Sequence, residues 1–480
     1  MKNYKLSMIL CSIGIILVSL LMIVSSYAYF TIKINGEGND IEVSTFDKNT
    51  NIVFTDTSNV SLVNAYTGDE IIKTFSIENT SDLSLYYDIV LKNVVNNFEN
   101  KNDLVFILEC EDKSGAFREQ SILPSSDTNI ASNILIGPNK NHNYKMTIKF
   151  LDTNYDQSDN MNKTFSSNIM ISGSKTNIGQ TIYDKGSLLE KIITLSDIET
   201  NNIYKTNNST NGTTIYYYKG NSETNNNVIY NNMCFKIIRT DENYGIKLLY
   251  KGELEEGVCN PKKTVLDSVY NEKSNYNAYV GYMYGKASSN NYKNEHNNAN
   301  ASQIKLELDK WYKESILNNA LIDKNAVYCN YRETNSFRLN GVLYAKNGYG
   351  ANNSGYYIYD NKYPSLDCYN LNDRFSVANE NSNKNLEYPV GLLSVDELLY
   401  LGLDFTTNNN DSYLASSDNY WTMTAAYFNG SDAYNYSVIN NKISPNNVSK
   451  SLGIRPVITI NKSAQIVSGD GSEESPFTIK

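Results

Sequence analysis

The sequence Tyr144-Lys-Met-Thr-Ile-Lys-Phe150 alternates apolar and polar residues without a break. A period of two residues is typical of a β-strand with one buried face. Similar runs occupy residues 71–77, 86–91 and 165–171, and turns rich in Asn, Asp, Gly and Ser separate them. Strands spaced in this way predict an all-β, immunoglobulin-like sandwich domain over residues 29–177.

Two lysines and then an apolar run, Met8–Val24, begin the chain. This run of about 17 residues lies between the length of a signal-peptide core and the roughly 20 residues that span a bilayer. Ser26 and Ala28 give the small-x-small pattern that a signal peptidase cleaves. We therefore predict a signal peptide or transmembrane anchor over residues 1–28. The remaining chain would lie on the extracellular face of the cell membrane as a single-pass protein, or be secreted if cleaved after Ala28.

The composition is acidic and unusually rich in tyrosine. The chain has 52 acidic and 42 basic residues, a net charge of -10, and no basic stripe after Lys5. Nucleic acids require clustered Lys and Arg, so we expect no nucleic-acid partner. There are 39 tyrosines but only 2 histidines and 2 tryptophans. Tyrosine, with Ser, Gly and Asn, is frequent on surfaces that bind through aromatic contact and adaptable hydrogen bonds.

The boundary after the sandwich falls in residues 178–200. Leu188, Leu189, Ile192 and Ile193 repeat there at helical spacing. A tract rich in Asn, Thr and Ser follows, so we predict that this segment is a helical linker.

Residues 201–480 predict a mixed α+β domain. The runs Cys234–Arg239 and Gly245–Tyr250 are typical of a β-hairpin, and residues 301–316 have the apolar spacing of an amphipathic helix. Ser394-Val-Asp-Glu397 has the capping-box pattern that begins another helix.

Five cysteines lie outside the apolar N-terminal run. Cys234 and Cys259 are close in sequence, as are Cys329 and Cys368. Four cysteines allow three pairings, and we favour the nearest-neighbour pairing. Cys110 ends an apolar run, so we predict that it is a buried thiol on a strand. Since no CxxC motif occurs, we expect no zinc ribbon.

The order of the sandwich strands resembles the camelysin and TasA-type exported β-sandwich domains. The matching pieces are Ala28-Tyr-Phe-Thr31, Gly68-Asp-Glu70, Lys73–Asn79 and the tract Asn154–Phe165. The resemblance implies a fibre or stalk on the surface of a monoderm bacterium. No HExxH motif occurs, so the metallopeptidase activity sometimes claimed for camelysins is not expected.

The second domain resembles the C-type-lectin-like (formylglycine-generating-enzyme-like) domains at the C-termini of many Gram-positive surface proteins. The ordered pieces that carry the resemblance are Cys234–Arg239, Trp311-Tyr312, Gly391–Glu397, Tyr420–Thr424, Gly453–Val457 and Gly469-Asp-Gly471. In such folds the region before the last strand forms the ligand-binding face.

The residue types that related enzymes require are scarce. Formylglycine-generating enzymes need a pair of reactive cysteines, and disulfide formation would leave no thiolate here. An iron-binding relative needs several histidines, but His142 and His296 belong to different domains. His296 lies in the polar run Asn290–Asn300, where we expect a solvated side chain. We therefore predict no enzyme, no catalytic residues and no cofactor.

A calcium site is not expected either. Asp152-Thr-Asn-Tyr-Asp156 begins like an EF-hand loop, but Gln157 and Lys163 occupy the positions that need a glycine and a bidentate glutamate. We predict no metal ligand.

A run of aromatic residues gives the candidate ligand-binding set. Its members lie among Ser, Asn, Thr and Ala in residues 413–436: Tyr413, Tyr420, Tyr427, Phe428, Tyr434 and Tyr436. We assign Trp421 of the same run to the core. Arg455, set between apolar residues and followed by proline, is expected to bond loop carbonyls.

Together these features predict a non-enzymatic bacterial cell-surface protein. A β-sandwich stalk would present an adhesion head that binds an extracellular protein or glycan, and the N-terminal helix would contact the cell membrane. The alternative is a structural subunit of an extracellular fibre or matrix, in which the sandwich self-associates.

Overall fold

The computed structural model describes residues 30–36, 52–56, 60–81, 84–152, 157–160, 162–173, 182–196, 201–289, 291–316, 319–332, 337–339, 342–344, 364–368 and 370–480. The chain divides into two compact units, Met1–Ile178 and Gly179–Lys480. The predicted N-terminal helix and the cleavage site after Ala28 lie outside the described residues. Within the described ranges, no helix is long and apolar enough to cross a membrane.

The described strands of the first unit form two five-stranded sheets. In chain order they are β1 Phe30–Gly36, β2 Ile52–Asp56, β3 Val60–Ala65, β4 Glu70–Asn79, β5 Leu85–Asn96, β6 Leu104–Cys110, β7 Phe117–Ile122, β8 Thr128–Ile136, β9 Asn141–Phe150 and β10 Lys163–Gly173. One sheet has the order β3-β1-β10-β5-β8 and the other β2-β4-β9-β6-β7. β1 and β10 are parallel, and the other described pairs in these sheets are antiparallel.

Both sheets of the first unit contribute to one hydrophobic core. Phe54, Phe75 and Ile148 from one sheet and Ile89 and Phe165 from the other are buried in the same cluster. The alternating sequence pattern places these residues on the inner face of each strand. The prediction of an all-β sandwich is therefore confirmed. Cys110, at the end of β6, is a buried free thiol, as predicted.

The second unit is also rich in strands. They are β11 Ile203–Thr206, β12 Ile215–Tyr218, β13 Asn227–Tyr230, β14 Met233–Thr240, β15 Ile246–Glu255, β16 Val258–Cys259, β17 Asp267–Val269, β18 Met283–Tyr284, β19 Asn300–Ala301, β20 Tyr328–Cys329, β21 Phe337–Leu339, β22 Val342–Tyr344, β23 Arg374–Phe375, β24 Val390–Gly391, β25 Tyr420–Phe428, β26 Ala433–Ile439, β27 Lys442–Asn447, β28 Ser451–Gly453, β29 Val457–Ile460, β30 Ile466–Ser468 and β31 Phe477–Ile479. The helices described in this unit are Leu188–Ser196, Tyr292–Glu295, Gln303–Ser315 and Val395–Tyr400.

Two larger sheets organise this unit. The main sheet has the order β24-β29-β15-β14-β13-β31-β30, with β11, β12 and β16 attached to it. The other has the order β17-β28-β25-β26-β27. The predicted hairpin is the antiparallel pair β14 and β15. The two helices predicted in this unit are present, as Gln303–Ser315 and Val395–Tyr400. Ser302 caps the first, and Ser394 makes a complete capping box with Glu397 at the start of the second.

The segment that we read as a linker contributes to the second unit. The helix Leu188–Ser196 forms as predicted, but Leu188, Leu189 and Ile192 are buried in the core of this unit. The backbone N–H of Leu188 donates to the carbonyl of Ala464. Because its apolar face is covered by the second unit, the helix is part of the fold of that unit.

The two predicted disulfides are present in the second unit. Cys234 pairs with Cys259 over a separation of 25 residues, and Cys329 pairs with Cys368 over 39. Such cross-links restrict the unfolded chain and stabilise the folded unit.

Trp421→Ala should destabilise the second unit by about 3–5 kcal/mol, because it removes a buried aromatic side chain. The indole is 1% exposed, its Nε1–H donates to the carbonyl of Ser268 at 3.0 Å, and its ring meets Tyr270 edge-on with centroids 5.6 Å apart. Urea unfolding of the full chain measures the loss. Leu371→Ala, at an exposed position, is the control and should change the free energy of unfolding little. Equal effects of the two changes would contradict the prediction.

Candidate functional site

Four of the six rings that we predicted to bind ligand are buried. Tyr413, Tyr420, Phe428 and Tyr436 are 3%, 1%, 7% and 6% exposed. The prediction that they belong to a binding face is therefore wrong. β25 lies inside its sheet between β28 and β26, and its side chains are covered on both faces. The nearly continuous apolar run of β25 is the pattern of such a doubly buried strand.

These buried rings support the fold. Tyr413 donates its hydroxyl hydrogen to the carbonyl of Tyr218 at 3.2 Å. The guanidinium of Arg455 lies 4.8 Å from the ring centroid of Tyr420 and donates to the carbonyls of Tyr250 and Leu414. Arg455 has the structural role that its sequence context predicted.

Tyr427 and Tyr434 remain partly exposed. They face each other across β25 and β26, and their rings stack with centroids 4.6 Å apart and an angle of 22° between planes. The turn between the strands is held by Asn429, whose side-chain oxygen accepts from the N–H groups of Ser431 and Asp432. This turn presents the stacked pair at the end of the hairpin.

A second group of tyrosines lies on the segment next to this hairpin. The rings of Tyr276 and Tyr279 have centroids 6.0 Å apart, and those of Tyr279 and Tyr284 are 5.3 Å apart. Ser274 fastens the segment to the hairpin, because its Oγ donates to Asp432 Oδ1 at 2.6 Å and its carbonyl accepts from the N–H of Ala433. The 3-10 turn Asn277–Val280 also contacts both β25 and β26.

We call these five partly exposed residues the tyrosine surface: Tyr276, Tyr279, Tyr284, Tyr427 and Tyr434. Tyr276 is 39% exposed, and the other four are half-buried. Sequence reasoning missed the first three. The density of tyrosine in residues 276–284 was the available signal, but one of that run, Tyr282, is fully buried.

A small polar pocket is the second candidate site. Its wall includes the Cys329–Cys368 disulfide, Arg239, Lys247, Arg374 and Glu397. The empty space, open solvent included, is about 400 Å³, but the enclosed part has room for only about one or two water molecules. The pocket can therefore accept a small group rather than a whole organic ligand.

A buried ion cluster forms the floor of this pocket. Glu397 Oε1 accepts from Arg239 Nε at 2.8 Å and from Lys247 Nζ at 3.0 Å, while Oε2 accepts from the N–H of Ser394 at 2.9 Å. Burial alone would raise the pKa of Glu397, but the adjacent Lys247 and Arg239 cations lower it to about 2. Lys247 also donates to the carbonyl of Val327 at 3.0 Å.

The charged residues of the pocket mainly support the fold, because Glu397 is bonded to Arg239 and Lys247. Arg374 Nε is buried and, among the described residues, has no hydrogen-bond partner. The lining also includes the acids Glu242 and Glu397 beside its cations, so the buried N–H of Arg374 is a spare donor in a wall of mixed charge. The lining residues include no histidine, and both cysteines are in a disulfide, so the described wall offers no nucleophile or general base of those types.

The histidines do not form a site. His296 is buried, so our expectation of a solvated side chain is wrong. Its Nε2 lies 3.3 Å from Asn277 Nδ2, and burial, followed by the nearby Arg332 cation, lowers its pKa well below the ordinary value. His142 is in the other unit, with Nδ1 2.6 Å from the hydroxyl of Tyr87. In the described parts of the chain, no group of three or more His, Cys, Asp or Glu residues is arranged to hold a metal ion. Most of the loop Asp152–Asp156 lies outside those parts.

Comparison with known proteins adds little. No protein-family model matches the chain, and no curated protein is significantly similar to it. Among solved structures, one similarity is to AvmM, which is described as catalysing macrocyclization in alchivemycin A biosynthesis. The two share 7% sequence identity, the match covers 30% of this chain and 100% of that chain, and the TM-score is 0.12. This likeness is too slight to bear on fold or function.

Glu397→Ala should destabilise the second unit by about 3–5 kcal/mol at neutral pH, because it leaves two buried cations without their counter-charge. The folded-state pKa lies below the ordinary 4.5, so the stabilisation is present above about pH 4.5 and is lost as pH falls towards 2. The difference between the variant and the natural chain should therefore shrink over that range. Urea unfolding at several pH values measures it.

Glu380→Ala is the matched control for that experiment. Glu380 forms an exposed ion pair with Lys384, and solvent screens such pairs strongly. Its removal should leave stability nearly unchanged at each pH. A Glu397→Ala effect as small as that of the control would show that the buried cluster does not support the fold.

Proposed function

We propose that this chain is an exported, non-enzymatic bacterial cell-surface protein whose second unit binds an extracellular protein or glycan. The observation that carries the proposal is the tyrosine surface, with its stacked pair Tyr427 and Tyr434 at the end of the β25–β26 hairpin. The immunoglobulin-like sandwich would act as a stalk and the second unit as a C-type-lectin-like head.

Export is supported by two features. The apolar run Met8–Val24 follows two lysines, and its length lies between that of a signal-peptide core and that of a membrane span. The two disulfides of the second unit are typical of proteins that fold in an oxidising environment outside the cytosol.

The physical properties of the tyrosine surface suit ligand binding. A tyrosine offers a large contact area with few rotatable bonds, so ordering it on binding costs little entropy. Here the rings are already held by their neighbours at centroid distances of 4.6–6.0 Å. Ring faces can contact apolar side chains or the C–H faces of sugars, while phenol hydroxyls and the polar turn at residues 429–432 supply hydrogen bonds.

Tyr427→Ala and Tyr434→Ala should each weaken binding by about 2 kcal/mol or more, because a pre-packed aromatic anchor is lost. The melting temperature should fall only slightly, since both rings are partly exposed. Binding is measured by screening the full chain on glycan and extracellular-matrix protein arrays, then titrating the best ligand with each variant.

Tyr204→Ala is the matched control, because Tyr204 is an exposed, stacked tyrosine on β11, in the main sheet. It should leave binding unchanged. If the natural chain binds and all three variants bind equally well, the ligand surface lies elsewhere on the chain. If neither array yields saturable binding, the proposed binding function is wrong.

The structural-subunit alternative rests on the sheet edges of the sandwich. Among the described strands, β3, β8, β2 and β7 lie at edges. Edge strands leave backbone donors and acceptors for pairing with another chain. Concentration-dependent filaments of the purified chain in electron micrographs, without array binding, would favour this alternative.

A further inference from the structure

One lysine of the sandwich points into its interior. Along β4 the inward positions are Lys73, Phe75 and Ile77, and all three are buried. The side chain of Lys73 is 0% exposed. Lysine is almost never fully buried without a partner, so this position requires a specific explanation.

One partner of Lys73 is an acid on the neighbouring strand. Asp56 ends β2, where it lies opposite Phe75, and is therefore the diagonal neighbour of Lys73 on the same face. Lys73 Nζ and Asp56 Oδ1 form an ion pair, and the Asp56 side chain is only 13% exposed.

Aromatic residues share the inner face of β2 and β4 with this pair. The ring of Phe75 lies 5.9 Å from that of Phe54 and 5.2 Å from that of Tyr144, measured between centroids. Removing both charges from water is costly, and a buried ion pair often contributes no net stability.

We propose that Lys73 and Asp56 condense into an intramolecular isopeptide bond. One proton passes from the Lys73 ammonium to the Asp56 carboxylate, Nζ then attacks Cγ, a C–N bond forms and the C–OH bond breaks. The hydroxyl leaves with a proton from the nitrogen as water, so the reaction needs no oxidant or other reactant. Holding the two groups in contact on adjacent strands supplies the proximity that drives such intramolecular reactions.

The bond would give the sandwich a covalent cross-link between two strands. Among the described cysteines, only Cys110 belongs to the first unit, and it is a free thiol, whereas the second unit has two disulfides. The cross-link joins edge strand β2 to β4 and closes a loop of 17 residues in sequence separation. An edge strand fixed in this way resists peeling from the sheet.

Tryptic mapping of the full folded chain tests the proposal. Trypsin cannot cleave after an acylated lysine, and no Lys or Arg lies between Lys48 and Lys73 or between Lys73 and Lys92. The cross-linked chain should give one peptide, 49–92, lighter than its sequence by one water. Cleavage after Lys73 into 49–73 and 74–92 would overturn the proposal, even if 49–73 has lost water, because that loss would come from a succinimide at Asp56.

Variants separate the covalent bond from the ion pair. Lys73→Arg keeps a positive charge but lacks the amine, so it should lose the cross-link and melt at a lower temperature. Asp56→Asn should release ammonia instead of water and give a 49–92 peptide of the same mass as the natural chain. The exposed pair Lys149–Glu70, which joins β9 and β4, is the internal control and should remain uncondensed. Normal cleavage after Lys73 in the natural chain would rule out the bond, whatever the Asp56→Asn chain gives.

Discussion

The second unit depends on the carboxylate of Glu397. That one group accepts from Arg239 on β14, from Lys247 on β15 and from the backbone of Ser394 at the start of the helix Val395–Tyr400. It therefore ties the two central strands of the main sheet to the helix. Burial raises the pKa of Glu397, but the Lys247 and Arg239 cations lower it by more, so its ionised form is favoured.

The proposed binding surface is connected to this cluster through the backbone. The N–H of Val395 donates to Thr424 Oγ1 at 2.9 Å, and the N–H of Met423 donates to the carbonyl of Leu393 at 2.8 Å. Both Thr424 and Met423 lie on β25, the strand that ends beside Tyr427. A rigid hairpin base allows the half-exposed rings beyond it to be held in one arrangement, which lowers the entropy cost of binding.

Sequence patterns between neighbouring residues made much of the fold predictable. The candidate site was hard to predict because strand β25 is buried on both faces. Period-two alternation identified the sandwich strands, and the Ser394 and Glu397 spacing identified a capping box, because both depend on neighbours in sequence. The exposure of a ring depends on what packs over it from distant segments. For this reason Phe428 and Tyr427, adjacent in sequence, have different surroundings, and His296 is buried although its flanking residues are polar.

The ionisation state of Glu397 in the folded chain tests this organisation most directly. Glutamate carboxyl carbons can be labelled with ¹³C, and the Glu397 resonance can be assigned from its disappearance in Glu397→Gln. We predict that this resonance keeps its ionised position while the exposed glutamates titrate, in agreement with a pKa of about 2. Titration of Glu397 at or above the ordinary value of 4.5 would contradict the prediction and show that the carboxylate does not bind the two strands and the helix together.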